Sequence, residues 1–153
     1  MMYQTILVPI DASDTARRGL SEAIALAQRL GSALHILHVL DYHMLFLDMS
    51  GMACLPDGTK VMREAGEQVL REAQALAAAA GVASEVALAE QVAPVVADAI
   101  IDEAVRCKAD LIVMGTHGRR GVRHMVMGSD AEGVVRRATV PVLLVRADPT
   151  TEI

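Results

Sequence analysis

The sequence predicts a single α/β domain, in which an open parallel sheet carries helices on both faces. Apolar runs alternate with segments of helical period, which is the pattern of βαβ units. The chain has 153 residues, a usual length for one domain. Its composition is 53% hydrophobic and 22% charged, which is typical of a globular protein. With three aromatic side chains in all, the core must be aliphatic.

The first part of the chain predicts a strand, a helix and a second strand. The first apolar run is Tyr3 to Ile10, and Ser13 or Asp14 can cap the helix that follows. Apolar positions repeat at helical spacing until Gly31, which favours a helix stop. The second strand is predicted at Ala33 to Leu40.

The middle of the chain predicts two helices around a third strand. A long helix is expected to begin near Thr59 and to end before Gly81, although Gly66 weakens this prediction. Residues Ser84 to Ala89 alternate as a half-exposed edge strand does. The next helix is expected to open near Pro94, because proline favours the first helical position.

The last part of the chain completes a prediction of five strands and four helices. Leu111 to Met114 is continuously apolar, as expected for a central strand buried on both faces. A short helix is predicted from Ser129 to Arg137, and a last strand from Val142 to Val145. The domain is expected to span residues 1–147, with a flexible tail at 148–153.

Asp41 to Gly58 is too long for an ordinary connection between a strand and a helix. It carries apolar side chains and is punctuated by turn residues, and we treat it as a long loop insertion. Two interpretations are open. It is either a lid or partner surface over the site, or a packed loop that covers the sheet edge.

Composition and charge exclude several classes of function. The formal net charge is -5 and tryptophan is absent, which argues against a nucleic-acid partner. Cys54 and Cys107 lack the spacing of a zinc or disulfide framework. No apolar run approaches the roughly 20 residues that span a bilayer. We therefore expect a cytoplasmic protein with no membrane partner.

A glycine-rich segment, Gly115 to Ser129, is the strongest candidate for a binding site. It lies between a predicted buried strand and a predicted helix, where glycines allow close backbone approach and a helix N-terminus offers N–H groups to phosphate. Ser129, expected at the cap position, adds a hydroxyl donor. Arg119, Arg120 and Arg123 place three positive charges in an acidic chain. The alternative is a flexible loop whose arginines are solvated.

The same segment resembles the ATP-binding branch of the universal stress protein family. That branch carries Gly-x-x-Gly, nine residues, then Gly-Ser, which is matched by Gly115, Gly118, Gly128 and Ser129. The resemblance covers nearly the whole chain, including the blocks Ile6 to Asp11, Asp110 to Gly115 and Val140 to Val145.

The resemblance implies a sheet of five parallel strands in the order 3-2-1-4-5, similar to the adenine nucleotide alpha hydrolases. That order brings Asp11 next to Gly115 at the point where the winding reverses, which is where ligands bind in such sheets. The implied ligand is ATP, with Mg²⁺, and the implied function is a non-enzymatic, nucleotide-dependent regulator in the stress response.

The binding set that the resemblance implies has an adenosine half and a phosphate half. Asp11 would hydrogen-bond adenine or ribose, while the residues near Gly115 would approach ribose and phosphates. The full set is Pro9, Ile10, Asp11, Val39, Met114, Gly115, His117, Gly118, Arg119, Gly128, Ser129 and Asp130.

Two aspartates have more than one interpretation. Asp11 either contacts the nucleotide or caps the helix that follows it. Asp130 stands where the family commonly has Val or Thr, and a carboxylate beside a triphosphate is unfavourable unless a divalent cation lies between them. Asp130 would then make binding depend on Mg²⁺; alternatively, it caps the helix and competes with phosphate.

Two competing functions remain open at this stage. In the first, the chain is a slow ATPase or another nucleotide hydrolase of the same fold, with His117, His124 or Asp130 orienting a water. His35 and His38 resemble a transferase motif, but pleating sends them to opposite faces of a strand. In the second, the loop is structural and the chain acts by protein contact, as a homodimer paired through Val142 to Val145.

Overall fold

A computed structural model describes residues 2–42, 56–91, 95–117 and 127–146. These residues form five strands and four helices. In chain order the elements are β1 (Thr5–Pro9), α1 (Asp14–Leu30), β2 (Ala33–Asp41), α2 (Pro56–Ala79), β3 (Ser84–Gln91), α3 (Val96–Arg106), β4 (Leu111–Gly115), α4 (Ser129–Arg137) and β5 (Val142–Val145). The sheet is parallel and its order is β3-β2-β1-β4-β5, so the predicted fold is confirmed.

The ends of several elements differ from the prediction. β2, β3 and β4 extend to Asp41, Gln91 and Gly115, one or two residues beyond their predicted ends. β1 is shorter because Tyr3 has a φ of 62°, a left-handed conformation that cannot continue a strand. α2 begins at Pro56 instead of near Thr59, because proline is pre-organised for the first helical position. α3 begins at Val96, whereas Pro94 lies outside the described residues.

The two faces of the sheet form two separate hydrophobic cores. α1 and α2 cover one face, where Ile6, Val8 and Ile36 are fully buried. α3 and α4 cover the other face, where Leu7 and Ile112 are fully buried. The central strands β1 and β4 are therefore buried on both sides, as their continuous apolar runs predict.

A side chain ties the two central strands together where they begin. The carboxylate of Asp110, just before β4, accepts hydrogen bonds from the backbone N–H groups of Gln4 at 2.7 Å and Thr5 at 3.1 Å. β1 and β4 then run side by side in parallel, with Ile6 opposite Leu111. Their carboxyl ends consequently emerge next to each other.

The reversal of winding lies between these two strands. The chain leaves β1 toward α1 on one face of the sheet, and it leaves β4 toward α4 on the other face. This divergence opens a crevice outside the carboxyl ends of β1 and β4, the position at which open α/β sheets bind ligands.

Some predictions fall outside the part of the chain that the structure describes. Most of the predicted loop insertion at 41–58 does so, as does the predicted tail at 148–153. None of the described helices is long and apolar enough to cross a membrane.

Candidate functional site

Asp11 lies in the loop between β1 and α1, beyond the carboxyl end of β1. Ser13 is the N-cap of α1, and its Oγ accepts a hydrogen bond from the backbone N–H of Ala16 at 3.2 Å. Asp11 Oδ1 accepts from the N–H of Ser13 at 2.8 Å. Asp11 therefore shapes the turn before the helix and is not the helix cap, while Asp14 lies in the first helical turn.

The backbone of Ile10, beside Asp11, is held on two sides. Its N–H donates to the carbonyl oxygen of Leu37 at 2.8 Å. Its own carbonyl oxygen accepts from Nδ1 of the buried His38 at 2.9 Å. Sequence reasoning treated His38 only as a strand residue and missed this contact. A polar side chain inside an apolar strand was the one signal that pointed to it.

Gly115, at the end of β4, lies directly against the first turn of α1. A Cβ atom at Gly115 would come within 2.9 Å of three atoms of Thr15, two of them in its backbone. Gly19, one turn further along α1, would bring a Cβ to 3.3 Å from the Gly115 nitrogen. The segment that follows Asp11 thus packs on Gly115. This agrees with the prediction that the strand order brings Asp11 next to Gly115 where the winding reverses.

The two ends of the glycine-rich segment are joined by a hydrogen bond. The N–H of Gly128 donates to the carbonyl oxygen of Thr116 at 2.8 Å, and the N–H of Thr116 donates to Val145 at 2.9 Å. The Thr116 hydroxyl lies 2.9 Å from Nδ1 of His117. Between these ends, the predicted residues Gly118, Arg119, Arg120, Arg123 and His124 lie outside the described residues.

The N-terminus of α4 faces the same end of the sheet. Gly128 is its N-cap, with a φ of -58° and a ψ of 151°, and no side chain supplies a capping hydrogen bond. The prediction that Ser129 occupies the cap position is therefore wrong. Helical geometry begins at Ser129 itself, because the carbonyl of Gly128 already accepts from Glu132 at 2.9 Å. The first-turn N–H groups and the helix dipole favour an anion at this end.

Two exposed groups stand at this helix end. Ser129 and Asp130 are both exposed. Asp130 lies in the first turn of the helix, where a negatively charged carboxylate interacts favourably with the helix dipole. Among the described residues, no group of three or more His, Cys, Asp or Glu side chains is arranged to hold a metal ion.

Three further predicted residues lie in the strands beside the crevice. Pro9 ends β1, Val39 is partly buried in the carboxyl half of β2, and Met114 is buried in β4. Apart from Gly118 and Arg119, the predicted set is thus distributed over the carboxyl ends of β1, β2 and β4 and the N-terminus of α4.

A second polar cluster lies away from the crevice, between β2 and α3. Glu103 Oε1 accepts from His35 Nε2 at 2.5 Å, and Arg106 donates to both carboxylate oxygens. His35 faces α3 whereas His38 faces α2, so the two imidazoles do lie on opposite faces of the sheet. Burial raises the pKa of Glu103, but the hydrogen bonds from Arg106 and His35 outweigh it and leave this pKa below its usual range.

Fold and site together define an open α/β domain with an anion-favouring crevice at its topological switch point. The family model described as the universal stress protein family matches residues 2–146. The chain belongs to that family.

Individual relatives agree with this assignment. A universal stress protein of Thermus aquaticus, named for its position in the 3' region of a QAH/OAS sulfhydrylase, is 41% identical over 145 residues, covering 95% of this chain and 100% of its own. A universal stress protein in complex with cAMP is similar with a TM-score of 0.69 and 26% identity, covering 97% of this chain and 100% of that one. The Archaeoglobus fulgidus universal stress protein in complex with dAMP has a TM-score of 0.66 and 26% identity, covering 95% and 99%.

Proposed function

We propose that this chain binds ATP in the crevice between β1 and β4 and acts as a nucleotide-dependent regulator in the stress response. The observation that carries the proposal is the junction of β4 with α4. There, Gly115 lets the first turn of α1 pack against the end of β4, and α4 starts without a side-chain cap. Such a helix end offers N–H groups to phosphate oxygens. The two relatives with cAMP and dAMP support an adenine nucleotide as the ligand.

The adenosine half of the site is assigned to β1 and β2. Pro9, Ile10 and Val39 would line adenine and ribose, because they end or flank the strands beside the switch point. Asp11 would accept a hydrogen bond from adenine or ribose in addition to the one from Ser13 that it already accepts. The bond from His38 fixes Ile10 and supports this half.

The phosphate half is assigned to the segment that joins β4 to α4. Met114 and Gly115 would approach ribose, followed by His117, Gly118 and Arg119 toward the phosphates. Gly128 and Ser129 would hold the terminal phosphates at the N-terminus of α4.

Mg²⁺ fits the chemistry of this half through Asp130. Its exposed carboxylate supplies an oxygen ligand next to the proposed phosphates, and Mg²⁺ in nucleotide sites is typically bound by one or two carboxylates plus phosphates. The cation would offset the repulsion between the carboxylate and the triphosphate.

A direct experiment tests the proposed ligand. The purified chain is heat-denatured, and released nucleotide is identified by mass spectrometry; ATP binding is then measured by calorimetry. We expect Ser129→Ala to weaken ATP binding by about 3- to 10-fold, the effect of one lost hydrogen bond, because Ser129 is exposed and does not cap the helix.

Ser21→Ala is the matched control, since Ser21 is an exposed serine of α1 that bonds only locally, to the Arg17 carbonyl at 3.1 Å. We expect this variant to bind ATP like the wild type. Absence of released nucleotide, together with an unchanged Tm in millimolar ATP, would contradict the proposal and favour the interaction-protein hypothesis.

The proposed regulator role also predicts that any turnover of ATP is slow. His117 is the described histidine of the site, and its Nδ1 is engaged with the neighbouring Thr116 hydroxyl. A regulator needs no general base at this position, whereas a hydrolase needs one that is oriented toward the attacking water. Turnover near the usual enzyme median of about 10 s⁻¹ would therefore replace the regulator role with that of a hydrolase.

The proposed partner is a second copy of the chain, paired through the last strand. β5 lies at the edge of the sheet and hydrogen-bonds β4 on one side. Leu143, in its middle, is 39% exposed. An exposed apolar edge strand is an aggregation hazard unless another strand covers it, and an identical edge supplies that cover by symmetry.

A further inference from the structure

A chain of hydrogen bonds runs from the loop after β1 to the loop after β4. Thr15, the second residue of α1, donates its hydroxyl proton to the carbonyl oxygen of His117. The Ser13 hydroxyl lies 3.3 Å from the same Thr15 oxygen. Because Thr15 has a single hydroxyl proton, Ser13 is the donor of that pair. The chain therefore runs in one direction, from Ser13 through Thr15 to His117.

The packing around Thr15 leaves this contact little freedom. Thr15 is 7% exposed, and its backbone lies against Gly115, where even one added methyl group would collide. The Thr15 side chain reaches past the end of β4 to the second residue after it. The hydroxyl therefore fixes His117 relative to α1, and not merely relative to its own strand.

In the part of the chain that the structure describes, the hydrogen bonds given for the other half of the site do not use the Thr15 side chain. Ile10 is fixed by Leu37 and His38, both on β2. Asp11 is fixed by the backbone N–H of Ser13, a bond that does not involve the Thr15 side chain. Loss of the Thr15 hydroxyl should therefore disturb the β4 side of the crevice much more than the β1 side.

We infer that Thr15 is a positioning residue for the phosphate half of the site. It sets the place at which the chain leaves β4, through the backbone of His117, and it makes no contact of its own with the nucleotide. The inference rests on the proposed function for its ligand, but the hydrogen bond that carries it belongs to the protein alone. Phosphate binding should depend on this hydroxyl, whereas adenosine binding should not.

The test compares Thr15→Val, which keeps the shape and removes the donor, with Thr15→Ser, which keeps the donor. Affinities for ATP and for adenosine are measured by calorimetry. We expect Thr15→Val to lose about 3- to 10-fold in ATP affinity and to bind adenosine like the wild type. Thr15→Ser should retain both affinities. Equal losses for the two ligands, or an unchanged ATP affinity, would overturn the inference.

A measurement without nucleotide separates this inference from the proposed function. Amide hydrogen exchange of Gly128, whose N–H donates to Thr116 next to His117, is followed by NMR in the ligand-free protein. We expect faster exchange in Thr15→Val and wild-type exchange in Thr15→Ser. If the wild type binds no ATP while this difference is seen, the proposed function fails, and what stands is that Thr15 holds the His117 backbone in place. Thr15→Ala serves in the same way should the valine variant not fold.

Discussion

Nδ1 of His38 donates a hydrogen bond to the carbonyl oxygen of Ile10 at 2.9 Å, and Gly66 of α2 lies against the same imidazole ring. Three elements meet there: the helix α2, the strand β2 and the loop that carries Asp11. The imidazole is buried, so its ring cannot turn away into solvent. Packing of α2 on the sheet is thereby linked to the backbone of the proposed adenosine site.

Gly66→Ala tests this link. A Cβ at Gly66 would lie 2.7 Å from His38 Cδ2 and 3.0 Å from Leu40 Cδ2. Overpacking costs about 1–3 kcal/mol, which exceeds the gain of up to about 1 kcal/mol in helix propensity. We expect a net loss of stability in urea unfolding. Gly58→Ala is the matched control in the same helix, with nothing within 4 Å, and should be neutral or stabilising. Equal stability of the two variants would refute the link.

Gly115→Ala should impair the site more severely. The added methyl group would meet the Thr15 backbone at 2.9 Å, and a backbone cannot change rotamer to make room. We expect a stability loss of about 1–3 kcal/mol or more and at least a tenfold loss of ATP affinity. Gly133→Ala is the control, since its Cβ would meet Ala97 at 2.8 Å between α3 and α4, outside the crevice. That variant should lose stability but keep ATP affinity; if both variants bind ATP like wild type, Gly115 has no role in the site.

Asp130→Val should reduce the dependence of ATP binding on Mg²⁺. Without a cation, the Asp130 carboxylate repels the triphosphate, so its removal should strengthen ATP binding in EDTA by several-fold. The free energy of unfolding should fall by about 0.3–1 kcal/mol, because the variant loses the favourable interaction between the Asp130 carboxylate and the helix dipole. Glu132→Gln is the control, since Glu132 is paired with Arg136 at 2.7 Å. Equal ATP affinity of wild type and Asp130→Val, both with Mg²⁺ and with EDTA, would rule out a cation role for Asp130.

The Glu103 cluster predicts a pH-dependent part of the stability. The folded-state pKa of Glu103 lies below its unfolded value, so its contribution is present above the ordinary glutamate pKa of about 4.3 and is lost as the pH falls through the folded-state value. Glu103→Gln should therefore be destabilising at about pH 7, and the difference from wild type should shrink toward about pH 3.

Urea unfolding at several pH values measures this difference. Glu67→Gln is the control, because Glu67 forms an exposed pair with Arg71 at 3.8 Å and should matter little at any pH. A constant difference between Glu103→Gln and wild type would show that the carboxylate charge is not what the cluster stabilises.

Leu143→Lys should separate the proposed dimer. A charge in the middle of the β5 edge blocks strand pairing across it. We expect a monomer by analytical ultracentrifugation for Leu143→Lys. A dimer should be seen for wild type and for the control Val61→Lys, which alters an exposed valine of α2. A monomeric wild type, or a dimeric Leu143→Lys, would remove β5 as the interface.

Local patterns predicted most of the fold but little of the contacts that build the site. Apolar runs and helical periods located the strands and helices, because those signals are carried by neighbouring residues. The strand order came only from the family resemblance, since periodicity does not specify which strands are neighbours. The cap of α4 was assigned to Ser129 because serine usually caps; in the structure Gly128 takes that place.

The contacts that were missed join residues far apart in the chain. Thr15 and His117 are separated by 102 positions, and His38 and Ile10 by 28. A threonine in a first helical turn and a histidine in a strand look ordinary until the fold supplies their partners. Gly66 looked like a weak point in a helix, yet its lack of a side chain is what lets His38 lie there.

Asp110 and Thr15 together join the segments on either side of the crevice before any ligand binds. Asp110 ties the start of β4 to the start of β1, while Thr15 ties α1 to the far end of β4. β1 and β4 are thus joined where they begin, and the segments that follow them are joined by the bond from Thr15 to His117. Where a ligand meets these joined segments, the entropy cost of ordering them belongs to folding and not to binding. At these segments, the affinity depends mainly on the contacts that the ligand makes, and little on rearrangement of the protein before binding.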